Sequence, residues 1–123
     1  MHALTTTVAR TVFALVFAVF GIFHFMNGPA MAGMVPSFIP GGVFWVYLTG
    51  LALLAAAVSL IIQKYTYWGM LGLAAMLVIF VLTIHLPQVG SNQAAMPNLL
   101  KDLALAAAAL TYAGLHSGQV ARD

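Results

Sequence analysis

Hydrophobic residues in this chain come in long blocks instead of alternating with polar ones. Four such blocks, at about 8–26, 43–62, 67–86 and 98–116, approach the roughly 20 helical residues that cross a hydrocarbon core at about 1.5 Å each. Asn27-Gly28-Pro29 ends the first block, and Pro36-Ser37-Phe38-Ile39-Pro40-Gly41-Gly42 is too broken by proline and glycine for regular structure. Residues 63–66 suffice only for a tight hairpin, whereas 87–97 is polar around Ser91-Asn92-Gln93 and is expected to face water. The pattern predicts an all-α integral membrane protein. Residues 1–123 form a single domain, an antiparallel four-transmembrane-helix bundle with a short irregular or helical outer loop between its first two helices.

Composition strengthens that reading. With 63% hydrophobic and 5% charged residues, and a mean hydropathy of +1.06, the chain has too little polar surface to cover a water-soluble globule. Its pI near 9.3 rests on a net charge of only +2, so no nucleic-acid partner is expected. The absence of cysteine excludes disulfides, thiolate-bound iron–sulfur clusters and dithiol redox chemistry by this chain alone. Arg10 before an apolar run and Ala30-Met31-Ala32 after it imitate a signal peptide, but the segment is read as a retained span. No fixed-period repeat is visible. With both termini cytoplasmic, Arg10, Lys64 and Arg122 fall inside and only Lys101 lies toward the outside. Trp45 and Tyr47 mark one membrane edge, and Tyr65, Tyr67 and Trp68 the other.

Lys101-Asp102 interrupts the fourth block, where a bilayer makes charge expensive. An up-down bundle brings five polar residues to its outer end: His24 closing the first span, His85 closing the third, and Asn98, Lys101 and Asp102 opening the fourth. Along the fourth helix, Asn98, Asp102, Leu105, Ala109, Tyr112 and His116 are spaced by threes and fours and share a face expected to point inward. Two readings of the pair follow. Lys101 can snorkel to the headgroups while Asp102 gains about 0.3–1 kcal/mol from the helix dipole, a purely structural anchor. Alternatively Asp102, about one turn inside, joins the histidines in a functional site. Taken singly, each histidine fits a hydrogen-bonded boundary residue. Two histidines on different helices offer haem ligation, which the broken loop context disfavours. No local ligand spacing supports a metal site and none is predicted. His2 and His116 look peripheral.

A quinone-type ligand suits the composition better. It needs an apolar slot, donors to its carbonyl oxygens and a proton route from water. Phe23, Phe25, Met26, Phe38 and Met96 are candidate walls, His24, His85 and Asn98 candidate binding groups, and Lys101 with Asp102 a candidate proton relay. The same aromatic and methionine residues are also what ordinary packing in a membrane protein would use.

Gly21-Ile22-Phe23-His24-Phe25, Pro36-Ser37-Phe38-Ile39-Pro40, His85-Leu86-Pro87 and Asn98-Leu99-Leu100-Lys101-Asp102-Leu103 together resemble the DoxX family of four-helix bacterial membrane proteins. The resemblance covers nearly the whole chain, and its most specific motif is the Lys-Asp pair inside a span. Through that family's link to the small subunits of thiosulfate:quinone oxidoreductase, it implies a quinone-linked redox function and a place in the bacterial inner (cytoplasmic) membrane. Members often carry Gly-x-x-Glu in the second span, whereas Gly50 here is followed by Leu51, Ala52 and Leu53. Asp102 is thus the only acid expected within the bundle, and whether the chain is an enzyme stays open. The competing class is a non-catalytic accessory or assembly subunit of a larger membrane complex. Gly50, Ala52, Ala56, Gly69, Gly72, Ala104 and Ala108 permit close approach within the bundle, to other membrane subunits or to a second copy of the chain. A channel or transporter fits less well, because one charge pair makes a poor aqueous path.

Overall fold

The structure is a computed structural model that describes residues 1–119, so Arg122 lies outside the described residues. Four long helices follow the four apolar blocks: α1 (Leu4–Met26), α2 (Val43–Ile62), α3 (Thr66–Gln88) and α4 (Ala95–Leu115). No strand occurs among the described residues. α1 opens with a π turn, Leu4–Val8, and is α-helical over Ala9–Met26. It stops at Asn27, whose backbone N–H and side-chain Nδ2 both donate to Phe23 O. Short helical turns, Gly28–Met31 and Ala32–Met34, then begin the loop that leads to α2. Pro97 in the first turn of α4 fills a position that needs no N–H.

α1, α2 and α3 are long and apolar enough to cross a membrane. α4 has a comparable length, 21 residues, but Asn98, Lys101 and Asp102 lower its hydropathy, and it is not among those three. Exposed side chains such as Val12, Ile22, Leu51, Val58, Ile79 and Leu110 give the bundle an outer surface too apolar for water.

Packing proceeds by pairs. α1 lies against α2 and α3 against α4, while α2 and α3 are joined by the hairpin at 63–65. The first pair approaches through glycine: a Cβ on Gly50 would sit 2.9 Å from His24 Cβ and 3.0 Å from Gly21 O, contacts only a bare backbone permits. Gly69 likewise leaves room for Ser59 across the hairpin, whereas nothing lies near Gly72 and Ala52 is exposed. The small residues are therefore divided between internal contacts and a bare face. In the hairpin, Gln63 and Tyr65 both take left-handed backbone conformations with φ of 58°, and the fully buried Thr66 donates from Oγ1 to Ser59 O at 3.0 Å.

α1 and α4 hardly meet backbone to backbone, and aromatic side chains span the interval instead. Phe13 packs on Tyr112 with ring centroids 5.0 Å apart, and Phe17 packs on Phe13 at 4.9 Å. α4 answers with Ala106, Ala109 and Ala113 on its buried side. Asp102 is buried with them, while Asn98, Leu105, Tyr112 and His116 are half-buried on the flank of that stripe. The bundle is thus well filled toward the hairpin. Toward the opposite end it is not.

Candidate functional site: a cavity with a buried ionic chain

Local sequence sets the site's first member through a defect in α3. Proline lacks an N–H and its ring crowds the carbonyl four residues back, so Pro87 cannot continue an α-helix that includes Thr83. α3 responds by widening. After Thr66–Phe80 it makes a π turn over Val81–His85, with the Leu86 N–H reaching back to Val81 O, and ends in a 3₁₀ turn, Leu86–Gln88. The widened turn leaves His85 only 8% exposed against α4.

There it meets Asp102, itself buried. His85 Nε2 and Asp102 Oδ2 are 2.8 Å apart, and Lys101 Nζ lies 3.5 Å from the other carboxylate oxygen, Oδ1. A carboxylate in an apolar bundle needs such partners, because an unpaired charge there is costly. The Lys101 side chain remains 47% exposed, and its ammonium also stands over the Phe20 ring of α1, 5.4 Å from the centroid, a cation–π contact that bridges the α1–α4 interval. Lys101, Asp102 and His85 thus form a continuous polar chain from the surface into the bundle.

That chain borders a cavity of about 450 Å³, large enough for the ring of a small amphiphile. Phe17, Phe20, Leu53, Leu77, Phe80 and Leu105 form its apolar walls. Its polar border is His24, Thr49, Thr83, His85, Asn98, Lys101 and Asp102. The loop between α1 and α2 roofs it with Met31, Met34, Val35, Pro36 and Ile39. The loop is held down where it joins α2. Trp45 Nε1–H donates to Pro40 O, Gly41 and Gly42 take φ of +107° and +40°, and a Cβ on Gly28 would collide with the Tyr47 ring. Tyr47 in turn stacks on Phe25 at 5.7 Å.

Of the residues singled out in the sequence, His24, His85, Asn98, Lys101 and Asp102 all border this one cavity. His24 does not touch the ionic chain: its Nδ1 is 2.6 Å from Phe20 O, one turn back in its own helix. Phe38 is 79% exposed and takes no part in the cavity, where its neighbours Val35, Pro36 and Ile39 do. Phe23, Phe25, Met26 and Met96 are likewise exposed and are not walls. Among the described residues His116 bonds only its own helix, at Tyr112 O. No group of three or more His, Cys, Asp or Glu able to hold a metal ion occurs among the described residues.

The walls themselves escape sequence reasoning, since nothing in an all-apolar helix says which side faces inward. The π turn had a signal, the proline two residues after His85. Compared with known proteins, residues 13–110 match a sequence family described as a domain of unknown function (DUF8561). No curated protein and no solved structure matches.

Proposed function

Since the chain belongs to the DUF8561 family, whose description carries no activity, we propose from the cavity itself that it is a quinone- or lipid-binding membrane subunit, linked to redox chemistry. In this reading all four helices cross the bacterial inner membrane with both termini cytoplasmic, and α4 carries Lys101 near the outer edge. One observation carries it: a buried His85–Asp102 pair, tied to a half-exposed lysine, on the wall of a mostly apolar cavity of about 450 Å³. Apolar walls hold a ring and tail, while the polar chain offers hydrogen bonds and a path for a proton between ligand and water. The DoxX-like Lys-Asp motif supports the same reading and remains part of the proposal.

Purification in mild detergent, followed by solvent extraction and a visible spectrum, tests it. A quinone or isoprenoid lipid is expected in the extract, retained at lower occupancy by Asp102→Asn although that variant still inserts. An empty extract together with a large partner in fixed ratio would replace this reading by the accessory one. A Soret band lost in His24→Ala or His85→Ala would replace it by haem binding. The accessory reading has its own support in a groove along α2 and α3, bordered by Ala52, Ala55, Gly69 and Gly72, where a helix of another subunit can approach closely.

A further inference from the structure

Both cavity histidines have one ring nitrogen committed to a partner inside the protein, and the partner's chemistry decides where the ring proton sits. His24 Nδ1 lies 2.6 Å from Phe20 O. A carbonyl oxygen only accepts, so Nδ1 carries the proton and a neutral ring presents Nε2 as a bare acceptor. His85 Nε2 lies 2.8 Å from Asp102 Oδ2, and the carboxylate's other oxygen faces the Lys101 ammonium. An ionised carboxylate also only accepts, so His85 carries a proton at Nε2, and its neutral ring, like that of His24, presents Nδ1 as the second bare acceptor. Neither His24 Nε2 nor His85 Nδ1 hydrogen-bonds to any described residue. Neither is a sealed-off atom of the interior. Both residues border the same cavity.

From this we infer that the site selects the hydroxyl-bearing form of its ligand, a hydroquinone or a similar phenolic amphiphile, over the carbonyl-only quinone. The inference rests on the proposed function and names the state of ligand that the same cavity takes. A hydroquinone brings two O–H donors to a cavity with two unsatisfied histidine acceptors. A quinone brings acceptors only, and leaves lone pair facing lone pair. Asn98 does not discriminate, because its amide can donate or accept. Lys101 can donate to an oxygen of either form, and its ammonium is already shared between Asp102 and the Phe20 ring. Sites built to bond a ligand hydroxyl reject analogues that lack it, because the site's own polar groups are then left unpaired.

The test uses the full chain in detergent under argon and titrates it calorimetrically with decyl-benzoquinone and with its dithionite-reduced hydroquinone. The hydroquinone is expected to bind at least about tenfold more tightly, the factor that one unpaired buried polar group produces. His24→Gln and His85→Gln, which supply an N–H donor as well as an acceptor, are expected to bring the two affinities toward equality. Equal affinities in the unsubstituted protein, or tighter binding of the quinone, overturn this inference and leave the proposed function standing. Binding of neither form overturns both.

Discussion

The two ends of the bundle solve the same problem, polar groups among apolar helices, in opposite ways. At the hairpin end Ser59 Oγ donates to Ala56 O, Thr66 Oγ1 to Ser59 O just across the turn, and His116 Nδ1 to Tyr112 O, each over seven residues or fewer. Arg10 Nε is buried there with no hydrogen-bond partner among the described residues. Around these groups the core is dense, with Leu60, Thr66 and Ala109 inaccessible to solvent. At the cavity end His24 and Thr83 still bond their own helices, but the ionic chain crosses between helices. His85 and Asp102 are 17 residues apart in sequence, and Lys101 reaches Phe20 on α1. Polar groups that cap their own helix stabilise it wherever it goes. Groups that join helices fix the helices' relative position, and can hold space open between them. The cavity end is therefore where the proposed ligand would act, and the hairpin end holds the bundle together around it.

Matched deletions give the sharpest test of that contrast. Leu60→Ala, in the dense end, is expected to cost about 2–4 kcal/mol in detergent-unfolding experiments, because the surrounding helices cannot collapse onto the void. Phe80→Ala, on the cavity wall, removes a larger side chain yet is expected to cost only about 1 kcal/mol, since that ring already lacks neighbours on one side. Equal costs would erase the distinction. Asp102→Asn comes next: it leaves His85 and Lys101 without their anion, and should lower stability by about 1–3 kcal/mol and ligand retention at least tenfold. Lys101→Gln should cost less than about 1 kcal/mol by unfolding, because its side chain is half in solvent. The smallest effect belongs to His116→Ala, within about 0.5 kcal/mol and with ligand retention unchanged. A change in retention there would mean that the two ends are coupled.

Much of this arrangement was legible before any coordinates. Block length placed the helices to within a few residues, and the three-and-four spacing on α4 found its buried side, because Asn98 and Asp102 stand out against leucine and alanine. The gathering of His24, His85, Asn98, Lys101 and Asp102 followed from topology alone: in an up-down bundle alternate helix ends must share a level. Side-chain direction did not follow. α3 is apolar on every side, so no periodicity distinguishes Leu77 and Phe80, which border the cavity, from Val78, which does not. Phe38 was expected in the site because it is aromatic and near it, but loop backbone between two prolines has no period from which to read a direction. All four blocks were read as spans, and α4 falls short of the apolarity of α1, α2 and α3 through the same residues that make it functional in the proposal.

The π turn at Val81–His85 has one more consequence. A π turn is an α turn holding one surplus residue, so everything beyond it is rotated by roughly 100° relative to an uninterrupted α-helix. His85 faces Asp102 by count as well as by identity. Removing any single residue from 81–84 would keep the histidine, the aspartate and the lysine and still disconnect them, as losing one tooth from a gear leaves every remaining tooth intact and out of phase.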